Sequence, residues 1–331
     1  MHTAARPLSV YLAACVGDTQ DSPVVRAWHE AAARDVHGVH RVTDDPAHAD
    51  IILFVDLHLA PDWRLPSLLS HELVRRHPGK AFVYDERDHP WCALPGLYCS
   101  MPEAHFDPDW QRACAYYGTM RFTEEERAGT TPDLLFSFVG SRSHPVRRSI
   151  LRLTHTRAAL EDTSGFLFYD RSDPAAYDRQ RTRYLSILLR SKFVLCPAGA
   201  GTSSIRLFET LAAGRVPVII SDAWVPPPGP SWGACSLRVP EAAVADLPRL
   251  LEATEPRYPQ MSAAAQQAHA EWFAPTVIFH RLISGCGELL ARGAANGRPP
   301  RGWRYLGLGV RQAKHHVRGS VGKLLRAAHL R

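Results

Sequence analysis

Two charged side chains follow a glycine-rich loop in the middle of the chain, and their types suit the binding of a phosphate group. Residues 198–204 read AGAGTSS, and Arg206 and Glu209 come shortly after them. The guanidinium of Arg206 offers a planar fork of donors to phosphate oxygens, and the loop offers backbone N–H groups to an anion. This spacing predicts a phosphate or nucleotide site. The alternative is an ordinary strand–helix turn, with glycines that only allow close packing and an Arg206 that lies in solvent.

The loop stands between a predicted strand and a predicted helix. Residues 191–196 form a short apolar run of strand formers. Residues 205–213 have helical periodicity, and the hydroxyl side chains of 202–204 are available as N-caps. Residues 216–220 (VPVII) then form an apolar run typical of a strand buried on both faces. This order places the loop at the carboxyl end of a parallel sheet, where such folds bind their ligands.

Apolar runs that indicate strands alternate with helical segments along the rest of the chain, and this alternation is typical of parallel α/β sheets. The polar stretch 124–132 is a predicted linker between two such units. We therefore predict an α/β fold with two Rossmann-like domains, residues 1–130 and 131–290, each with helices on both faces of its sheet, followed by a basic tail, residues 291–331. The predicted strands include 8–16, 51–55, 81–84, 134–139 and 166–169.

Three segments of the second half resemble the signature of the exostosin-type glycosyltransferases. They are SKFVLCPAG (191–199), SIRLFE (204–209) and LAAGRVPVIISD (211–222). The similar region spans roughly residues 133–290, whereas the first 130 residues match only in general layout. The family makes or extends polysaccharide chains from nucleotide-sugars and has two Rossmann-like domains in the GT-B architecture. The resemblance thus implies a nucleotide-sugar donor site in the second domain.

The resemblance also assigns roles to residues of that site. It implies that the donor diphosphate lies over the loop, that Arg206 pairs with phosphate charge, and that Glu209 accepts hydrogen bonds from ribose hydroxyls. An exposed Glu209 paired with Arg206 or Arg215 is the alternative. The family loop carries a charged residue where this chain has Ala198 and Ala200, so phosphate contacts through the backbone are expected. Arg142 and Arg147 both follow the strand that ends at Gly140, and one of them is expected to contact the phosphates. The predicted donor-binding set is Gly140, Arg142, Gly199, Gly201, Thr202, Ser203, Ser204, Arg206 and Glu209.

Catalysis in such an enzyme needs a base for the acceptor hydroxyl and positive charge for the departing nucleoside diphosphate. The resemblance implies inverting transfer without a metal ion, with Arg206 and the loop stabilising the leaving group. The base is expected at a strand end of the first domain. Asp88 is preferred and Asp85 follows, both in the cluster DERDHP (85–90); the alternative is a hydrogen-bonded loop that caps the sheet edge. The other candidates at these strand ends are Asp56, His58 and Glu86.

The sequence predicts neither a metal site nor a membrane span. The seven cysteines include no CxxC pair, and 107–109 (DPD) is typical of a surface turn rather than of a metal-binding DxD motif. No apolar run approaches the roughly 20 residues that cross a bilayer. With no recognisable signal peptide, we expect a cytoplasmic protein with reduced thiols and no cofactor beyond the nucleotide-sugar.

Positive charge is concentrated at the carboxyl end of the chain. Ten Lys or Arg and no acidic residue follow Glu288, and subtracting them from the overall charge of +6 leaves −4 for the preceding residues. Apolar residues recur at helical spacing in this tail, so we predict that residues 297–331 bind the inner face of an anionic membrane. A disordered basic tail is the alternative. No nucleic acid partner is expected, because the body is acidic and contains no recognised motif.

Together these features predict a glycosyltransferase that moves a sugar from a nucleoside-diphosphate-sugar to a carbohydrate acceptor. The acceptor would be a polysaccharide, a surface glycan or a lipid-linked glycan. Two alternatives remain open at this point: a non-catalytic protein that binds sugar-nucleotides or acts as a scaffold, and a basic-tailed membrane adaptor.

Overall fold

A computed structural model describes residues 6–15, 19–59, 68–90, 92, 94–117, 122, 125, 127, 129–166 and 172–294. Within these ranges, the first half of the chain forms a six-stranded parallel sheet. All residues of its central strands, which read IILF and AFVYD, are buried, as expected of strands covered on both faces. In spatial order the strands are β2 (Arg41–Val42), β1 (Ser9–Ala13), β3 (Ile51–Phe54), β4 (Ala81–Asp85), β5 (Gly96–Tyr98) and β6 (Gln111–Ala113).

The second half forms a five-stranded parallel sheet. In spatial order its strands are β11 (Leu237–Arg238), β10 (Val216–Ile220), β9 (Ser191–Pro197), β7 (Leu134–Gly140) and β8 (Ala158–Asp162). The first three strands of each half are arranged alike. In the first sheet β1 lies between β2 and β3, and in the second sheet β7 lies between β8 and β9. Each sheet therefore has a topological switch point, between β1 and β3 and between β7 and β9, where open sheets bind ligands.

Helices connect these strands and cover the sheets. The first begins at Ser22, whose hydroxyl accepts a hydrogen bond from the Val25 N–H, and it buries Val25, Trp28 and Ala31 on one face. The helices are α1 (Pro23–Ala33), α2 (Glu72–Arg76), α3 (Pro145–Ile150), α4 (Pro174–Arg190), α5 (Ile205–Ala212), α6 (Trp232–Cys235), α7 (Leu247–Thr254), α8 (Tyr258–Ala268) and α9 (Ile278–Ala291). Short 3-10 turns span Leu57–Leu59, Glu103–His105, Glu241–Asp246 and Glu255–Arg257, and a π turn spans His269–Phe273.

The two halves share a hydrophobic core. One cluster of buried residues joins Trp28 of α1, Val194 of β9, Phe208 of α5 and Cys286 of α9. The last of these helices comes after the second sheet in the chain but packs against α1, β5 and β6 of the first. Residues 275–290, which chain order assigned to the second domain, thus lie largely on the first sheet. The domain boundaries themselves stay a prediction.

The predicted fold class is confirmed: the chain is α/β, with two parallel sheets flanked by helices. One strand, β8 at Ala158–Asp162, was not predicted, and the strand predicted at 166–169 lies, except for residue 166, outside the described residues. β8 is an edge strand with only partly buried residues, so no continuous apolar run marks it. The tail from residue 295 onward also lies outside the described ranges. Among the helices that are described, none has the length and hydropathy to cross a bilayer.

Candidate active site

A cleft of about 940 Å³ lies between the carboxyl ends of the two sheets. One wall consists of residues that follow β3 and β4, among them His58, Glu86 and Asp88. The other consists of residues that follow β7 and β9, together with the first turns of α5. Because parallel strands gather their following loops at one edge of a sheet, two such edges facing each other bring distant parts of the chain together. The volume is that of an ordinary ligand site.

Two arginines meet at the switch point between β7 and β9. Nε of Arg147 donates to the Ala198 carbonyl at 2.8 Å, and Nη2 of Arg206 donates to the Val139 carbonyl at 2.5 Å. Burial, and then the neighbouring charge of Arg206, lowers the pKa of Arg147 to about 10. Among the described residues, no carboxylate forms an ion pair with either guanidinium. The end of the second sheet thus carries two adjacent positive charges that are not neutralised by an ion pair within the described part of the chain.

The guanidinium of Arg206 still has donors to offer. Its carbon lies 4.9 Å from the centroid of the Phe138 ring and 5.9 Å from that of Tyr184. Its Nε and Nη1 are buried and find no hydrogen-bond acceptor within the described part of the chain. A buried donor without an acceptor costs free energy, on the order of 1–3 kcal/mol. An anionic ligand in the cleft would relieve this cost and supply the acceptor oxygens.

A glycine allows the other guanidinium to reach its place. A Cβ at position 199 would stand 2.5 Å from Nη2 of Arg147, closer than real Cβ contacts come. Gly199 therefore lets the Arg147 side chain lie against the loop after β9 while it also reaches the Ser141 carbonyl, 3.4 Å from Nη1. The arginine consequently connects the loops that follow β7 and β9.

Glu209 lies in the same cleft and is almost fully buried, with 4% of its surface exposed. The hydroxyl of Tyr184, on α4, donates to its Oε2 at 2.5 Å. Arg215, the other partner considered for Glu209, donates instead to the carbonyls of Leu189 and Thr130. The alternative of an exposed Glu209 is therefore wrong, and the carboxylate faces the cleft three residues beyond Arg206.

Residues 106–254, which include both arginines, Glu209 and the glycine-rich loop, match the family model of the exostosin GT47 domain. The match covers 149 of the 331 residues, a little under half of the chain. The resemblance seen in the sequence is thereby confirmed. The matched region begins and ends earlier than the estimated 133–290.

Curated relatives of this domain align only locally. The Exostosin-1 homolog of Caenorhabditis elegans is 38% identical over 87 residues, which are 26% of this chain and 22% of that protein. A probable glucuronoxylan glucuronosyltransferase of Arabidopsis thaliana is 46% identical over 78 residues, 22% of this chain and 17% of that protein. The matched part of the chain spans about a fifth of the length of these relatives.

Solved structures are similar at low sequence identity and at TM-scores below 0.5. A glycosyltransferase from Rickettsia africae is similar with a TM-score of 0.42 and 10% identity, over 85% of this chain and 98% of that one. Anabaena HepE in complex with UDP is similar with a TM-score of 0.38 and 11% identity, over 85% of this chain and all of that one. At these TM-scores the similarity carries no argument about the site.

Some of the residues predicted to bind the donor line the cleft, and others lie outside its lining. Arg142 lies outside the cleft lining and its Nε pairs with Asp162 Oδ2 at 2.7 Å, whereas Arg147 lines the cleft. Gly201 and Thr202 lie outside the lining as well. The members that line the cleft are Gly140, Gly199, Ser203, Ser204, Arg206 and Glu209.

The Ser203 N–H, counted among the phosphate donors, has a partner from the other half of the chain. It donates to the Ser100 hydroxyl oxygen at 3.1 Å. Ser204 occupies the N-cap position of α5, but its side chain makes no capping hydrogen bond in the described structure. The Ser203 N–H is therefore already engaged within the chain, and phosphate contacts through the loop backbone stay a prediction.

The two carboxylates predicted as bases are placed differently. Asp85 is fully buried and absent from the cleft lining, and Nε and Nη2 of Arg87 donate to its two oxygens at 2.9 and 2.6 Å. This placement does not favour Asp85 as the base. Asp88 lines the cleft and is exposed. Glu86, one of the remaining candidates, also lines the cleft and is largely buried.

Tyr184 lines this cleft as well, and the sequence did not indicate it. It lies ten residues into α4, and only its contact with Glu209 reveals a role at the site. Elsewhere in the described ranges, no group of three His, Cys, Asp or Glu side chains is arranged to hold a metal ion. The predicted independence of metal stays a prediction.

Proposed function

We propose that this chain is a glycosyltransferase that moves a sugar from a nucleoside-diphosphate-sugar to a carbohydrate acceptor. The observation that carries the proposal is the pair Arg147 and Arg206, two guanidiniums that form no ion pair with a carboxylate among the described residues, inside the region that matches the exostosin GT47 model. Their position at the β7–β9 switch point is where an open parallel sheet binds its ligand. A diphosphate carries the negative charge that would neutralise both.

The same pair suits the chemical step. Transfer breaks the bond between the anomeric carbon and a phosphate oxygen, and the electron pair leaves on the diphosphate. Fixed positive groups stabilise such developing charge most strongly in a site from which water is partly excluded. The unpaired Nε and Nη1 of Arg206 provide donors for it without displacing any existing hydrogen bond among the described residues.

Glu209 supports a nucleoside as the rest of the leaving group. Its buried carboxylate lies three residues from Arg206 on one helix, so both side chains reach the same cleft. Hydroxyl groups are good donors to an ionised carboxylate. In a nucleoside diphosphate, ribose hydroxyls and phosphates are neighbours, and the pair Glu209 and Arg206 has matching chemistry at a matching spacing.

We also propose that transfer inverts the anomeric centre and needs no metal ion, since two arginines supply the positive charge at the leaving group. A polysaccharide or surface glycan made in the cytoplasm, at the inner face of a membrane bound by residues 297–331, is the proposed setting. Transfer that survives EDTA and gains nothing from added Mg²⁺ or Mn²⁺ supports the first part. Transfer that depends on either ion contradicts it.

A thermal-shift screen with UDP-, GDP-, dTDP- and CMP-sugars tests the donor class. A donor that binds the folded protein raises its melting temperature by mass action. One of the three diphosphate donors is expected to do so, and the CMP-sugars, which have a single phosphate, are not. No shift with any diphosphate donor contradicts the proposal.

Variants test the site. Arg206→Ala and Glu209→Ala are each expected to abolish transfer while the chain stays folded, as judged by circular dichroism. Arg249→Ala is the matched control, because this side chain is 87% exposed on α7 and far from the cleft lining. Full activity in both site variants would contradict the assignment. Donor binding without any transfer in the parent protein would favour the non-catalytic alternative.

A further inference from the structure

Glu86 lies on the wall of the cleft opposite the two arginines, at the carboxyl end of β4. We propose that Glu86 is the base that takes the proton from the acceptor hydroxyl, an inference that rests on the proposed function above. The base and the leaving-group arginines would then stand on opposite walls, with the sugar between them. This arrangement suits attack from the side opposite to the leaving group.

Hydrogen bonds hold the Glu86 carboxylate in a single orientation. The Tyr84 hydroxyl donates to Oε1 at 2.6 Å, and the Tyr117 N–H donates to the same oxygen at 2.8 Å. Across the described residues, Oε2 accepts no hydrogen bond, and Nδ1 of His58 lies 3.7 Å from it. With 18% of the side chain exposed, Oε2 is the oxygen left to accept a proton from a ligand.

The neighbours of Glu86 give its carboxyl group the proton affinity that a base needs. Burial raises its pKa to about 7, the charge of Asp85 adds to the rise, and the hydrogen bonds from Tyr84 and Tyr117 oppose it. A general base is most effective when its pKa is close to the working pH. An exposed carboxylate of ordinary pKa is a much weaker base at neutral pH.

Charged groups around Glu86 come from every neighbouring element. Arg87 neutralises Asp85 through a two-point ion pair on the same strand end, and exposed Asp88 follows in the same loop. From the turn after β3, His58 has its pKa lowered by burial and is neutral at pH 7, and the pKa of Tyr84 is raised, so it remains a donor. Arg147 and Arg206 face it from the second sheet.

The step balances with the groups named. The acceptor O–H bond breaks and its proton goes to Oε2 of Glu86, while the acceptor oxygen forms a bond to the anomeric carbon. The bond from that carbon to the β-phosphate oxygen breaks, and its electron pair leaves with the nucleoside diphosphate beside Arg147 and Arg206. Glu86 then returns the proton to water.

Glu86→Gln separates this role from donor binding. The amide keeps the size and one acceptor oxygen for Tyr84 and Tyr117 but cannot take a proton. We expect unchanged donor affinity and a kcat lower by about 10²- to 10⁴-fold. Glu103→Gln, an exposed carboxylate outside the cleft lining, is the matched control. A parent protein that binds no nucleotide-sugar would refute the proposed function rather than this role.

A Glu86→Gln variant within threefold of the parent kcat overturns the assignment. So does a 10²-fold loss in Asp88→Asn that Glu86→Gln does not show. If Glu86→Gln fails to fold, Glu86→Asp keeps the carboxylate and is expected to transfer slowly with the parent's pH dependence. A Glu86→Asp variant that folds, and whose kcat/KM does not fall as the pH is lowered below about 7, also overturns the assignment.

A pH profile gives a readout that a merely structural role would not change. In the parent, kcat/KM is expected to fall on the acid side of about pH 7, as Glu86 becomes protonated. Tyr84→Phe removes a hydrogen bond that favours the ionised form, so its acid limb is expected at higher pH. An acid limb that persists unchanged in Glu86→Gln contradicts the proposal.

Discussion

Gly201 of the glycine-rich loop lies against Ser100 of the first half of the chain, so closely that a Cβ at position 201 would stand 2.1 Å from the Ser100 hydroxyl oxygen. The Cα and carbonyl oxygen of Asp88 lie 2.9 Å from the same point. The Ser203 N–H donates to that serine hydroxyl as well. The loop that follows β9 is thus in contact with both sheets, and this contact helps to set the distance between the walls of the cleft.

Gly201→Ala is therefore expected to destabilise the fold and to slow transfer. The added methyl group must push Ser100 and the backbone of Asp88 away, and overpacking of this kind costs about 1–3 kcal/mol. Urea unfolding measures the loss. Gly233→Ala is the control, because among the described residues no atom beyond its chain neighbours and its own helix backbone lies within 4 Å of a Cβ there. Equal stability of the two variants would contradict the expected clash.

Arg147→Lys and Arg206→Lys are each expected to weaken binding of the nucleoside diphosphate about tenfold. Lysine keeps the charge but loses the planar fork, and it reaches neither of the two carbonyls in the same geometry. Tenfold corresponds to about 1.4 kcal/mol and is measurable by titration calorimetry. Arg148→Lys, an exposed neighbour on α3, should bind like the parent. An equal loss in that control would mean that the effect is not local to the cleft.

Glu209→Gln is expected to distinguish the nucleoside from the phosphates. If its carboxylate accepts hydrogen bonds from ribose, the change weakens the nucleoside diphosphate and leaves inorganic pyrophosphate unaffected. Arg206→Ala should weaken both ligands, because it removes the phosphate contact. A competition binding assay measures the affinities of the nucleoside diphosphate and of pyrophosphate in each variant, and the two affinities are compared within that variant. Pyrophosphate affinity that falls as far as nucleotide affinity in Glu209→Gln would refute the ribose role.

The buried His280 of α9 is expected to contribute a loss of stability as the pH is lowered, opposite in sign to the contribution of Glu86, whose raised pKa favours the folded state at acid pH. The His280 ring stacks at 4.1 Å on His37 and at 5.0 Å on His40, and burial, followed by the charges of these two, lowers its pKa to about 4. The unfolded chain, with an ordinary histidine pKa of 6.5, binds the proton first. Unfolding is therefore favoured as the pH falls from about 6.5 towards 4, by about 2 kcal/mol at pH 5.

Unfolding curves at pH 7 and pH 5 measure this contribution as the difference between the parent and His280→Phe, since other groups titrate in both. The surroundings of the ring also include Asp35, which raises the His280 pKa, and Arg281, which lowers it. His280→Phe keeps an aromatic ring in the stack and removes the titrating group, so it should flatten the pH dependence. His29→Gln, an exposed histidine on α1, should not. A slope unchanged in His280→Phe would place the pH sensitivity elsewhere.

Several elements of the fold could be predicted because they carry a local signal. The buried strands β3, β4, β7 and β10 are continuous apolar runs, and α5 follows the loop with its charged side chains three residues apart. The edge strand β8 carries no such signal. Its residues are only partly buried, so the period and composition that identify a strand are weak there.

The choice between similar side chains could not be made locally. Arg142 and Arg147 both follow β7, but one pairs with Asp162 at the surface and the other reaches the loop after β9. Asp85 and Glu86 are consecutive at the end of β4, so they point to opposite sides of the strand. Which side faces the cleft depends on what packs against the sheet.

The sequence by itself determined the parallel α/β class, the glycine-rich loop at a strand end, and Arg206 and Glu209 as its charged residues, because these follow from backbone preferences and short-range spacing. The tertiary structure alone decided that two strand edges face each other and that Arg147 and Glu86 belong to one cleft. Contacts between residues far apart in the chain, such as Ser100 and Ser203 at a separation of 103 positions, produce that arrangement. No local pattern encodes such a contact, since it exists only once both sheets have packed on their shared core.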